Sequence, residues 1–423
     1  MKTDVPYVEL RAQSAFSFLR GASLPEELAA QAAALGYAAL ALTDLDNLCG
    51  APRFHRAMQA AGLRPLVGAE ATIDGEPVLL LCRDATGYGH LCRLLTRAAA
   101  GGASFQDLTE HSAGLVCLLP ALRGPLRTPL ARGDHEAAAA VLERLLECFD
   151  PGDVCAELQI HGEEAEDLGN GMLVALARRY ELPLVATNDV RFATPDRALL
   201  CDALACVRGG TTLEQAGAAL LPNSERALKT PAQMAALFGD VPEAIENTVR
   251  LAERCTFTLA ALRYRFPTYP LPPGETEGDF LAALVQDSAP ARFRLCHETL
   301  MDAAFARRVR EQLDRELSLI RRLGLAGYFL IVWDIIQFCR SRGILVQGRG
   351  SAANSAVCFT LGISAVDPLR HELLFERFLS EERGEWPDID LDLPSGRGRE
   401  EVIQYVYRKY GAAACGMTAS VIT

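Results

Sequence analysis

The sequence has no long apolar run: its longest, such as Val78–Cys82 and Tyr328–Trp333, fall far short of the ~18 residues that a bilayer-spanning helix needs. The opening Met-Lys-Thr-Asp-Val-Pro has no apolar stretch, so no signal peptide is expected. The 13 cysteines include no Cys-x-x-Cys pair and stand singly, often beside Leu, Val or Ala. That pattern excludes a disulfide framework and predicts buried thiols in a cytoplasmic protein. Histidine is scarce too. His55, His90, His111, His135, His161, His297 and His371 form no His-x-His pair, so the usual paired ligands of a metal hydrolase are missing. What is present is globular composition, half hydrophobic and 23% charged, which excludes a disordered or collagen-like chain. At roughly 150 residues per domain, 423 residues suit two or three domains.

A net charge of −12 argues at first against a nucleic-acid partner, but the charge is uneven. Residues 301–423 carry 16 of the 42 basic and 16 of the 54 acidic side chains, so the whole acidic excess lies in the first 300. A chain that is acidic in one domain can bind phosphates with another.

The first ~190 residues alternate apolar strands with amphipathic helices. Strands are expected at 7–12, 38–43, 65–73, 77–82, 114–119, 154–159 and 182–187. Helices are expected at 52–61, 87–99, 136–148 and 164–180, and after a capping box at Ser23–Glu26. About seven strands separated mostly by helices predict an α/β fold, a parallel sheet or barrel. Residues 195–265 read as mainly helical. Arg265–Glu275, with four prolines and a glycine, is a candidate boundary. Three parts are expected: 1–200, a barrel-like domain; 201–270, a helical extension with a Pro-rich linker; and 271–423. In the last part helices run to about 342, followed by a strand at 344–347, a Gly-rich turn and another helix, a strand near 388–393, and a helix near 397–410.

Two constellations there could carry chemistry. In Gln347-Gly-Arg-Gly-Ser-Ala-Ala-Asn-Ser355 a glycine turn follows an apolar strand and opens a helix. Gly350 lets the backbone approach an anion, Ser351 and the helix N–H groups face it, and Arg349 adds a two-pronged phosphate contact. Such turns also occur with no ligand. In Pro387-Asp-Ile-Asp-Leu-Asp-Leu393, alternation puts Asp388, Asp390 and Asp392 on one strand face. Three carboxylates along one face repel one another and suit Mg²⁺ held beside a phosphate substrate. A solvated edge strand would also explain them. Together the two predict two-metal phosphoryl or nucleotidyl transfer, without choosing two carboxylates of the three.

Polar residues also gather at the C-terminal ends of the early strands, where barrel enzymes place their sites: Arg11, Gln13, Asp44, Asp46, Glu70, Asn188 and Asp189. His161 is the one candidate ligand among the histidines. On the last helix, Arg397, Arg399, Arg408 and Lys409 are interleaved with Tyr405, Tyr407 and Tyr410, which suits either a nucleic-acid backbone or a solvated basic face.

At these motifs the chain resembles a family. FSFLRGAS (16–23), CVRGGTTLEQAG (206–217), QGRGSAANSAVC (347–358) and RGEWPDIDLDLPSG (383–396) are similar to bacterial C-family DNA polymerases, and closest to their error-prone branch. The resemblance covers essentially the whole chain. It implies an N-terminal PHP (polymerase and histidinol phosphatase) barrel and a partial palm of the nucleotidyltransferase type. By resemblance, Arg349, Gly350 and Ser351 contact the nucleotide triphosphate, Asp388 and Asp390 are the catalytic Mg²⁺ ligands, and Asp392 has a supporting role. DNA primer-template and dNTP are the implied partners. A sliding clamp and mutagenesis accessory proteins would bind through regions outside this chain, and no membrane is involved.

Two departures from the family matter. Its metal-site histidines fall on Arg11, Gln13, Leu45 and Arg191 here, leaving Asp44, Glu70 and Asp189 as remnants. Arginine repels a cation, so no metal is expected in this site. Family members also continue far beyond Thr423, and the resemblance puts the third catalytic aspartate on a later palm strand. After Asp392 the only acidic residues are Glu400 and Glu401, which ordinary helix pairing explains. The chain is therefore expected to be the N-terminal part of an error-prone, damage-induced DNA polymerase and inactive alone. Alternatives are a replicative polymerase III alpha subunit, a PHP-type phosphoesterase and a non-catalytic fragment.

Overall fold

The computed structural model describes residues 6–262, 268–296, 303–379, 387–411 and 414–416. Two compact units emerge, Met1–Leu262 and Arg263–Thr423.

The first unit is a sheet of seven strands in sequence order: β1 (Glu9–Ala12), β2 (Ala39–Leu45), β3 (Arg64–Ile73), β4 (Glu76–Cys82), β5 (Leu115–Pro120), β6 (Val154–Leu158) and β7 (Leu184–Ala186). A parallel bridge between Ala12 and Val190 brings the last segment back to the first strand, so the sheet nearly closes into a barrel. The pairing is parallel except on both sides of β4. The reason is local: Asp74 and Gly75 both take positive φ, 48° and 82°, and form the two-residue hairpin that this dipeptide favours. Around the sheet lie α1 (Pro25–Leu35), α2 (Ala51–Ala60), α3 (Ala85–Ala99), α4 (Phe105–Glu110), α5 (Arg127–Ala131), α6 (His135–Leu146), α7 (Glu164–Arg179), α8 (Ala198–Gly209), α9 (Leu213–Ala216), α10 (Pro231–Leu237) and α11 (Pro242–Arg254).

The expected capping box is placed differently. The Ser23 hydroxyl accepts from Ala193 N–H at 2.9 Å instead of capping α1. Glu27, one residue beyond the expected partner, accepts from Leu24 N–H at 2.8 Å, and Glu26 is drawn away by Arg53 at 2.7 Å.

Alternate strand residues build two cores. Leu40, Leu42, Val67, Leu80 and Leu119 pack outward under the helices. Leu10, Ala41, Leu66, Leu79, Leu118, Cys155 and Val185 meet one another, Leu251 and Ala252 of α11, and Cys255 just past its end. This second core draws the division of the chain differently from the expected boundary at 200. Helix α11 seals it, Val8 N–H donates to Thr248 Oγ1, and Arg64 donates to Cys255 O at 2.7 Å. Residues 201–262 are therefore part of the first unit. Of the Pro-rich Arg265–Glu275, residues 265–267 lie outside the described residues.

In the second unit, α12 (Glu277–Cys296), α13 (Ala303–Arg322) and α14 (Ala326–Ser341) precede a small antiparallel pair, β8 (Gln347–Arg349) and β9 (Asp390–Asp392). A 3₁₀ turn at Gly350–Asn354 leads to the short helix α15 (Ala356–Thr360), and α16 (Arg397–Tyr410) follows β9. The core joins Leu281, Val285, Phe293, Phe329, Ile336, Val357, Phe359 and Phe378. The expected strand at 344–347 forms later, at 347–349. Gly348 fits there because its amide bonds Ile363 O at 2.7 Å, and a Cβ would come within 2.5 Å of that oxygen.

Candidate functional site

The barrel mouth gathers carboxylates because strand alternation carries Glu70 and Glu157 onto the inward face of Leu66 and Cys155. Arg11 occupies their midst. Its guanidinium lies 2.9 Å from Glu70, 2.8 Å from Glu157 and 3.0 Å from Asp189, with all four side chains nearly solvent-free. Gln13 donates to Glu70 at 2.6 Å, and Arg123 pairs with the same carboxylate. Asp189 is also bound by Arg191 at 2.9 Å and Arg226 at 2.5 Å. Burial alone would raise the Asp189 carboxyl, but Arg191, Arg11, Arg226 and Arg123 outweigh it and hold it well below the usual range. Burial penalises the Arg11 cation too, yet Glu157, Glu70 and Asp189 keep it firmly charged. Burial, with help from Arg191 and Arg11, brings Arg123 down to about 10.

Of the three remnants, the structure brings Glu70 and Asp189 together on Arg11. Asp44 has other partners: Ser14 N–H at 2.7 Å and the hydroxyls of Ser14 and Ser17 at 2.8 and 2.6 Å. Burial raises its carboxyl, and those bonds oppose the rise. His161 sits elsewhere. Its Nδ1 is 2.5 Å from Glu166 and its Nε2 is 3.0 Å from Asn188 O. His161, Glu163 and Glu166 are close enough to share an ion, yet Arg226 already reaches both carboxylates, at 3.4 and 3.6 Å.

The acidic strand of the second unit is built the opposite way. Ile389 and Leu391 pack inward on the core, and Asp388, Asp390 and Asp392 are exposed. The register sets Arg349 opposite Asp390 and Gln347 opposite Asp392. Arg349 Nε lies 3.8 Å from Asp390 and 3.4 Å from Asp392, in pairs about 60% exposed. Just past Arg349, Gly350 takes a φ of +68°, which suits glycine, and Ser351 follows at the edge of a cavity also lined by Ala353, Asn354, Glu376 and Arg377. The helix expected to open at this turn begins only at Ala356, and its N–H groups are taken: Ala356 and Val357 donate to Glu316 at 2.9 and 3.0 Å. Only the turn itself is left to meet an anion.

The comparisons with known proteins divide along the same line. Residues 9–161 match the PHP domain, and residues 279–423 match the bacterial DNA polymerase III alpha NTPase domain. The chain joins a PHP domain to a DNA polymerase III alpha segment. Over its whole length this PHP–polymerase III alpha chain is 42% identical to the error-prone DNA polymerase of Mycobacterium bovis, of which it covers 40%. It is 37% identical to that of Anaeromyxobacter sp. (strain K) and 44% identical to that of Pseudomonas paraeruginosa, with 99% of this chain and 43% and 39% of theirs covered. The chain thus spans about two fifths of the length of these relatives.

Within the polymerase III alpha segment, Tyr405, Lys409 and Tyr410 of α16 turn towards α14, and Arg397, Arg399 and Arg408 stay exposed. Tyr405, Tyr410 and Lys409 converge on Asp334 of α14 at 2.6, 2.9 and 2.5 Å, and Tyr405 stacks on Phe338 at 3.9 Å. That accounts for Tyr405 and Tyr410 without a nucleic acid. Glu401 pairs with Arg397 and Glu400 accepts from Gln404, as helix neighbours do. Among the described residues no helix is long and apolar enough to cross a membrane.

The sequence reading missed Glu157, Arg123, Arg226, Glu316 and Asp334. For Glu157 the signal was available: it has the same parity as Cys155 in a recognised strand.

Proposed function

We propose that the second unit contributes nucleotide and metal binding to a DNA-templated, error-prone DNA polymerase that acts in damage-induced synthesis. Asp388 and Asp390 are the catalytic Mg²⁺ ligands, and Asp392 supports them. What supports this reading is the β8–β9 pairing, which joins the Gly350–Ser351 turn to an exposed acidic strand in one antiparallel register. The donor set fits Mg²⁺: hard carboxylate oxygens, open to solvent, with Arg349 beyond hydrogen-bond distance as their partner. Bound there, Mg²⁺ would offset the charge of a triphosphate and favour attack by a primer hydroxyl. The chain's own part is to bind and orient. The amide of Gly350 and the hydroxyl of Ser351 donate to phosphate oxygens, and Arg349 exchanges its two weak carboxylate contacts for a phosphate. Templated synthesis is proposed for the whole protein, with primer-template DNA and dNTP as partners. A clamp and accessory proteins would act through its remaining length, in the cytoplasm. Primer extension by the full-length protein, dependent on Mg²⁺, tests the reading; full extension by an Asp388→Asn, Asp390→Asn double variant overturns it.

We further propose that the barrel mouth holds no metal and serves as support. Its donor set does not fit an ion, because Glu70, Glu157 and Asp189 are already neutralised by Arg11, Arg123, Arg191 and Arg226. The same pairing counts against a PHP-type phosphoesterase. Metal analysis of the purified chain should find no stoichiometric zinc or manganese. A full equivalent lost on Glu70→Ala would refute this part.

A further inference from the structure

The turn proposed to hold the triphosphate is short, and its orientation is set from behind. Glu316 is fully buried on α13 and accepts four hydrogen bonds. Ser355 Oγ donates at 2.7 Å, Ala356 N–H at 2.9 Å, Val357 N–H at 3.0 Å and Gln312 Nε2 at 2.8 Å. Ser355 in turn caps α15 by accepting from Cys358 N–H at 3.1 Å. A carboxylate of the protein therefore fills the end of α15 that would otherwise attract an anion. Burial pushes the Glu316 carboxyl up, and the bonds from Val357, Gln312, Ser355 and Ala356 oppose the rise.

The consequence lies one turn upstream. Residues 350–354 are held between two fixed points: the β8 ladder, with Gly348 tied to Ile363, and the Glu316 clamp on 355–357. Asn354 closes the turn on itself by donating to Ser351 O at 3.0 Å. With both ends fixed, the direction of the Gly350–Ser351 donors is fixed as well. A phosphate is also denied the competing helix terminus, where it would meet the Glu316 charge.

We propose that Glu316 is a positioning residue for the nucleotide's phosphates: by occupying the N-terminus of α15, it aims the Gly350–Ser351 turn and confines a triphosphate to it. The inference rests on the reading of that turn as the nucleotide-phosphate contact. It is tested by equilibrium binding of dATP and dAMP to the 423-residue chain in Mg²⁺, well below the unfolding temperature. Glu316→Gln keeps the size but replaces one of the two acceptor oxygens with a donor, against four donors. It should weaken dATP binding about tenfold, in line with the loss of a charge-assisted hydrogen bond, and leave dAMP unchanged. Should Glu316→Gln fail to fold, Ser355→Ala removes one clamp donor and should weaken dATP in the same direction, by about threefold. Ser351→Ala separates the two levels. If wild type prefers dATP and Ser351→Ala loses that preference while the clamp variants bind like wild type, the turn reading stands and the Glu316 inference falls. Equal binding of dATP and dAMP by wild type overturns both. A lower unfolding temperature with unchanged dATP affinity makes Glu316 structural only and also overturns the inference.

Discussion

The barrel mouth and the acidic stretch 388–392 each gather three carboxylates and use them in opposite ways. In the barrel, Glu70, Glu157 and Asp189 are buried, and each is met by at least one guanidinium within 3 Å. On β9, Asp390 and Asp392 are more than half exposed, with one guanidinium no nearer than 3.4 Å. A cluster of carboxylates is thus not in itself a metal site. What decides is whether the protein has already supplied the cation. Arginine inside the barrel turns a potential ligand set into a structural ion network, and solvent on β9 leaves the acids to be neutralised from outside.

Five experiments would break or sharpen that contrast. The largest effect should come from Asp388→Asn or Asp390→Asn in the full-length polymerase, each lowering incorporation by at least about 100-fold, since a catalytic metal supplies several kcal/mol. Unfolding temperature should not change, because the side chains are exposed. Asp392→Asn should cost less, and primer extension reads all three. Next, Arg11→Ala should destabilise the first unit by about 3–5 kcal/mol in denaturant unfolding, because it leaves the buried Glu157 without a cation and takes one of the cations from Glu70 and Asp189.

The third concerns Glu9. It is fully buried and accepts from Tyr7 Oη at 2.8 Å and from Arg11 and Asn188 N–H at 2.9 Å. Burial pushes its carboxyl up to about 8, against the pull of those bonds. The folded state then keeps a proton that the unfolded chain releases near its ordinary 4.5. Stability from this group is full below that value and falls as pH rises towards 8. Stability measured across pH 5–8 should show the decline, and Glu9→Gln should flatten it.

The fourth is Tyr328→Phe. The Tyr328 hydroxyl accepts from Ile389 N–H at 2.8 Å, between the two proposed ligands. Losing it should cost about 1 kcal/mol of stability and raise the Mg²⁺ concentration for half-maximal extension. The smallest effect is expected for Arg349→Ala, under about 1 kcal/mol because its pairs are exposed. A loss as large as that of Arg11→Ala would erase the contrast between the two sites.

Much of the fold was legible in the sequence because alternation and helix periodicity are local. All seven strands lie within a few residues of their expected places. The alternation of 388–393 also gave the acidic face and the packed one. What escaped was non-local. Arg123 and Arg226 reach the barrel mouth from loops that carry no periodic signal. The cap of α1 was misassigned because Ser23 is claimed by Ala193, 170 residues away. The tyrosines of α16 suggested an outward face because Asp334, 71 residues before Tyr405, gives no sign in the helix's own pattern. The missing histidines were visible at once, but not that arginines would occupy the space between the acids.

The sealing of the barrel by α11 bears on how the chain folds during synthesis. Val8 meets Thr248 across 240 residues, and the inner core has no floor until Leu251, Ala252 and Cys255 arrive. Contacts this distant in sequence form late, because a long loop must close first. A growing chain that has completed all seven strands therefore still exposes the undersides of Leu66, Leu79 and Val185. On the ribosome the barrel should stay open and protease-sensitive until α11 emerges, and then close in a single cooperative step.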